Sequence, residues 1–125
     1  MTSPLGRVLV VDDDPNVVEM LQDLLVDVGY LVKHALDGTE ALRLVPVFEP
    51  DVVLLDLQLP GMSGVEVLDR LRRDHPTVPV IIVTGNDDVE VARRMLRGGA
   101  FDYLSKPFTV EVLARVVAAA IAMSR

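Results

Sequence analysis

Five short apolar runs recur along the chain: Arg7 to Val11, Tyr30 to Ala35, Asp51 to Leu55, Val78 to Val83, and Asp102 to Leu104. Their starts are separated by 23, 21, 27 and 24 residues, the length of one strand plus one returning helix. Val8-Leu9-Val10-Val11, Val52-Val53-Leu54-Leu55 and Val80-Ile81-Ile82-Val83 are continuous rather than alternating. Strands covered by helices on both faces read that way, which predicts a parallel sheet. The run at 102–104 is short and is promoted mainly by its place in the rhythm.

The intervening segments carry helical spacing. Asp14-Pro15 supplies an N-cap and a first-turn proline, followed by Val17, Val18, Leu21, Leu24, Leu25 and Val28, with Gly29 as the stop. Gly38 to Val45 predicts a shorter helix stopped by Pro46, and Gly64 to Asp74 carries Val65, Leu68 and Leu71. Asp87 to Leu96 predicts a fourth helix closed by Gly98-Gly99. Thr109 caps the last one, with Phe108 and Leu113 placed to staple it. Five strand–helix units with right-handed crossovers give an open, doubly wound α/β fold with a five-stranded parallel sheet flanked by five helices.

Composition narrows the class. The chain has 125 residues, half of them apolar and a quarter charged, enough for one domain with a core. Twelve basic against nineteen acidic residues give a net charge of -7, which argues against gripping nucleic acid or anionic lipid through the general surface. The absence of cysteine excludes disulfides, thiolate metal sites and cysteine nucleophiles. No apolar run reaches the roughly 18 residues of a membrane span, so the chain reads as a small cytoplasmic domain with no membrane contact.

The polar residues fall at strand ends. Asp12, Asp13 and Asp14 follow the first strand, Asp56 ends the third, Thr84 the fourth, and Ser105-Lys106-Pro107 the fifth. In a parallel sheet these ends share one edge, and open α/β sheets bind ligands on that edge where the strand order reverses. For order 2-1-3-4-5 the reversal lies between strands one and three, flanked by Asp12, Asp13 and Asp56. Converging carboxylates repel one another and raise their own pKa values, a conflict that a hard divalent cation such as Mg²⁺ resolves. Asp14 sits where an N-cap belongs and reads as one. Lys106, one of only two lysines, is either a structural counter-ion or a mobile point charge for a phosphoryl oxygen. Thr84 alone reads as an ordinary strand residue, but beside Gly85 its hydroxyl can donate to an anion.

Val8 to Asp14, Asp51 to Asp56, Leu59-Pro60-Gly61-Met62-Ser63-Gly64, Val83-Thr84-Gly85 and Asp102 to Phe108 resemble the receiver domain of bacterial two-component response regulators. The resemblance runs from about Arg7 to Ala122, within one receiver domain spanning 1–125 with its core at about 7–122. It implies a flavodoxin-like sheet and specific roles. Asp56 matches the phosphoacceptor. Asp12 and Asp13 match the acidic pair that binds Mg²⁺, with Mn²⁺ as a substitute, and the backbone carbonyl of Gln58 completes the metal site. Thr84 and Lys106 match the groups that hold phosphoryl oxygens, and Tyr103 the aromatic switch residue. The implied phosphodonor is a sensor histidine kinase or a histidine phosphotransfer protein, and the domain is a signalling module whose only catalysis is its own phosphorylation and dephosphorylation.

Gln58 and Asn86 depart from the commonest pattern and would flank the phosphoryl group; Ser63 replaces a frequent aspartate with little expected consequence. An aspartyl phosphatase of the haloacid dehalogenase type would want a second aspartate where Gln58 stands. A nucleotide-binding α/β protein would want a glycine-rich loop after strand one instead of Asp12-Asp13-Asp14. A pseudo-receiver would be expected to lose the acceptor or the lysine. In the last helix Val112, Ala114, Ala118, Ala119 and Ala122 flank the main apolar stripe, which reads equally as alanine serving as a good helix former or as a face for docking a second receiver or an output domain through the last two helices, with no direct binding of nucleic acid. Arg93, Arg94 and Arg97 add charge there or form a solvated flank. No helix-turn-helix or catalytic segment follows the last helix, so a stand-alone regulator and a receiver cut from a longer protein both remain open.

Overall fold

A computed structural model of the chain describes residues 3–85 and 89–124. The elements alternate without exception: β1 (Arg7–Val11), α1 (Pro15–Val28), β2 (Leu31–Ala35), α2 (Gly38–Phe48), β3 (Val52–Asp56), α3 (Gly64–Asp74), β4 (Val80–Thr84), α4 (Val89–Arg97), β5 (Asp102–Ser105) and α5 (Val110–Ser124). All four strand pairings are parallel, in the order β2-β1-β3-β4-β5.

Alternation of side chains along each strand divides the core into two layers. Val8, Val10, Leu54, Ile81 and Val83 face α1 and α5, where they meet Leu21, Leu25, Leu113 and Val117. Leu9, Val11, Leu55, Val80 and Ile82 face α2, α3 and α4, against Ala41, Val45, Leu68, Leu71 and Met95. Apart from the end residues Arg7, Asp56 and Thr84, the central strands are therefore continuously apolar, because both faces are covered. Each fully buried aliphatic side chain contributes roughly 1.5–3 kcal/mol. Among the described residues no helix is long and apolar enough to cross a membrane.

The helix ends follow the sequence signals with one exception. Asp14 caps α1 by accepting from the Asn16 amide at 2.9 Å, and the Thr109 hydroxyl accepts from the Val112 amide at 3.2 Å ahead of α5. At the end of α4 the Ala100 amide reaches the Met95 carbonyl and the Gly99 amide that of Leu96, a Schellman closure with Gly99 at φ +112°. Pro46, in contrast, does not stop α2. Lacking an N–H, it forgoes only its own bond to the Leu42 carbonyl. The helix runs on to Phe48, whose ring is buried, and the Glu49 amide bonds Val45 at 2.9 Å. The terminal carbonyl of Phe48 accepts from Arg7 Nη1 at 3.1 Å. The expected fourth-helix start at Asp87 lies outside the described residues, as does Asn86.

Candidate functional site

Register builds the site. Val11 of β1 pairs with Leu55 of β3, so Asp12 emerges opposite Asp56 at the next step along both strands. Thr84 ends β4 opposite Ser105, and the Lys106 amide then bonds the Thr84 carbonyl at 2.8 Å. The strand order reverses between β1 and β3, which opens a crevice flanked by the carboxylates.

Carboxylate oxygens of Asp12, Asp13 and Asp56 lie within 4.8 Å of one another. Asp12 is buried, at 3% exposure, and is held from two sides. Its Oδ1 accepts from the Asp14 amide at 2.9 Å, and its Oδ2 lies 3.9 Å from Lys106 Nζ. Asp13 is exposed and Asp56 half-buried. Burial pushes the Asp56 carboxyl up from 3.8 to about 6, helped by the charges of Asp12 and Asp13 and opposed by the Gln58 amide and Lys106. That amide donates to Asp56 Oδ1 at 3.3 Å. Gln58 itself is exposed.

Thr84 is buried, and its hydroxyl donates to the Gly85 carbonyl at 3.0 Å. A Cβ built on Gly85 would meet no described atom within 4 Å, so there is room beside that hydroxyl. Tyr103 is half-buried against the α2/α3/α4 side of the core. The Lys106 side chain is partly exposed and lines an apolar pocket with Val17, Met20, Pro107 and Phe108. The Lys106–Pro107 peptide is cis.

Thus Asp12, Asp13, Asp56 and Lys106 come together, with Thr84 on the same edge; Asp14 is a helix cap, as its position suggested. Two features escaped the reading of the chain. Ser63 is the N-cap of α3, its hydroxyl accepting from the Glu66 amide at 3.2 Å. The spacing Ser63-Gly64-Val65-Glu66 is a capping-box signature that could have revealed it. Gly64 lets α3 begin against the end of β3: a Cβ there would lie 3.1 Å from the backbone of Asp56 and Leu57. Cap and glycine together fix the loop that leaves Asp56.

Doubly wound domains that bind nucleotides place a glycine-rich turn after β1, and here that turn is Asp12-Asp13-Asp14-Pro15. An acidic crevice at the switch point, closed by a threonine and a lysine from the next two strands, is the arrangement of the receiver class. The chain belongs to the response regulator receiver domain family, whose match covers residues 8–118. It is similar to the DNA-binding response regulator MtrA of Mycolicibacterium smegmatis, with 45% identity over 88% of this chain and 48% of that protein. It is also similar to the nitrogen assimilation regulatory protein NtrX of Azorhizobium caulinodans, with 35% identity over 85% of this chain and 24% of that protein. The crystal structure of the receiver domain of NtrX from Brucella abortus superposes with a TM-score of 0.89 at 32% identity, over 92% of this chain and 98% of that one. The chain spans about a quarter of the length of the Azorhizobium NtrX and about half of MtrA. Its function is that of a two-component receiver, a signalling domain. Because MtrA is DNA-binding by name, the expectation of no nucleic-acid binding concerns the receiver alone and not longer proteins that carry one.

Proposed function

We propose that Asp56 is the phosphoacceptor, taking a phosphoryl group from a phosphohistidine on a sensor histidine kinase or a histidine phosphotransfer protein. The convergence of the Asp12, Asp13 and Asp56 oxygens within 4.8 Å carries this reading. Three ionised carboxylates so close need a counter-charge. An all-oxygen donor set suits Mg²⁺, with Mn²⁺ as a substitute. Asp12, Asp13, Asp56 and the Gln58 carbonyl would hold the cation, which when bound neutralises charge on the transferring oxygens.

The chain's own residues do the rest. A carboxylate oxygen of Asp56 attacks phosphorus, and the O–P bond forms as the N–P bond to the donor imidazole breaks. Lys106, held loosely by Asp12 and partly exposed, swings its ammonium to a phosphoryl oxygen. The Thr84 hydroxyl exchanges the Gly85 carbonyl for another of those oxygens. The product is an acyl phosphate that water removes, so the domain catalyses only its own phosphorylation and dephosphorylation. Gln58 flanks the phosphoryl group and bears on its lifetime.

Phosphorylation replaces one negative charge with about two and adds acceptor oxygens. Movement of Thr84 toward them frees space for Tyr103 to turn inward, which biases the surface of β4, β5, α4 and α5. A second receiver or an output domain reads that surface through the last two helices, where Ala118, Ala119 and Ala122 are exposed. The domain, one unit over 1–125, acts in the cytoplasm without touching nucleic acid or membrane.

Intact mass after incubation with acetyl phosphate tests the reading. A gain of one phosphoryl group with Mg²⁺, lost without it and absent in Asp56→Asn, is expected. An equal gain in Asp56→Asn would move the site elsewhere.

A further inference from the structure

Two surfaces on opposite faces of the sheet carry unpaired charge of opposite sign beside exposed apolar groups, the first adjoining the site where Met20 shares a pocket with Lys106. On α1, Glu19, Asp23 and Asp27 recur every four residues and so align along one exposed face. Met20 and Val26 stand among them at 48% and 57% exposure. The helix carries no basic residue, and none of these acids is ion-paired among the described residues.

On the opposite side of the sheet, a cleft of about 170 Å³ opens between α3 and α4, floored by Val65, Leu68, Val91 and Met95. It has room for one apolar side chain, since an engineered cavity of roughly 150 Å³ accepts a benzene ring. Arg94 of α4 and Asp69 of α3 line it, and Arg97 lies one turn beyond Arg94 on the same helix. Among the described residues neither arginine is ion-paired, whereas Arg93 is held by Glu90 at 3.2 Å. With three arginines against Glu90, α4 is basic in an otherwise acidic chain.

We propose that α1 of one copy docks in the α3–α4 cleft of a second copy, with Met20 in the cleft and Asp23 and Asp27 facing Arg94 and Arg97. Both halves of the match stand on the same chain: an acidic ridge with an apolar knob, and an apolar hole where Arg94 and the neighbouring Arg97 outweigh Asp69. They lie on opposite faces of the sheet, so the contact is head-to-tail and leaves one free surface at each end. The net charge of -7 opposes association at long range. At about 0.15 M salt that repulsion is screened beyond roughly 8 Å, while the contacting pairs are screened less. One helix in one cleft is a small interface, so association is weak, with Kd roughly 0.1–1 mM.

Sedimentation velocity of the whole chain at rising concentration tests this. The wild type is expected to associate near physiological salt and to dissociate at about 1 M. Asp23→Arg and Arg94→Glu, both at exposed positions, should each weaken association roughly tenfold or more by placing like charges together. An equimolar mixture of the two should recover dimers, because Asp23→Arg keeps an intact cleft and Arg94→Glu an intact α1. Circular dichroism confirms that each variant is folded, and Arg94→Gln should give an intermediate loss. A wild type that stays monomeric at millimolar concentration overturns the proposal. So does association that ignores both reversals, or a mixture that recovers nothing, which would indicate a two-fold contact elsewhere.

Discussion

Replacing Asp56 by asparagine should stabilise the metal-free protein at neutral pH. The folded state holds this carboxyl at about 6 against 3.8 for the free group, because burial and the neighbouring Asp12 and Asp13 charges disfavour ionisation. Unscreened, that difference corresponds to about 3 kcal/mol. Asp56 is only half-buried, and solvent screening lowers the figure to about 1–2 kcal/mol. The sign follows from proton linkage. Below the ordinary carboxyl value both states are protonated and nothing is lost. As pH rises through 3.8 the unfolded chain ionises first, and native stability falls until pH passes about 6. Above that the full penalty is constant. Asparagine keeps the oxygen that accepts from the Gln58 amide and cannot ionise, so it escapes the penalty. Urea unfolding with EDTA should show Asp56→Asn more stable by about 1–2 kcal/mol near pH 7.5 and nearly equal to wild type below about pH 3. A difference that is absent at neutral pH, or the same at both pH values, would refute the argument.

Three further outcomes follow from the same geometry. Mg²⁺ should raise the thermal midpoint of the wild type, with affinity falling as pH drops through about 6, because the proton and the cation compete for Asp56; a titration at several pH values checks it. Ser63→Ala should cost about 1 kcal/mol by uncapping α3, with phosphoryl uptake still present, as read by urea unfolding and intact mass. Gly64→Ala should cost about 1–3 kcal/mol and slow phosphorylation, because its Cβ would press on the backbone carrying Asp56.

The strand-end carboxylates were legible because a parallel sheet sends every C-terminal strand end to one edge, so register alone brings Asp12 opposite Asp56. The layers were legible because runs such as Val52 to Leu55 alternate between two covered faces. Boundaries were less so. Tyr30 reads as the start of β2, but its amide bonds Leu25 and closes α1. Val78 reads as part of β4, but its amide bonds His75, and the strand begins after Pro79. Pro46 reads as a stop because a local signal says nothing of Phe48, whose burial carries α2 past it. Gly64 could not be understood from the chain, since its reason is the backbone of β3 lying against it.

The central claim is that the phosphoryl group sits on Asp56. Borohydride reduces an acyl phosphate to an alcohol, which converts a phosphorylated aspartate into homoserine. After phosphorylation with Mg²⁺ and acetyl phosphate, peptide mass mapping of the reduced protein should place homoserine at position 56. Homoserine at Asp12 or Asp13 instead, or a stable phosphoryl group on a serine, threonine or histidine with Asp56 unchanged, would contradict the account.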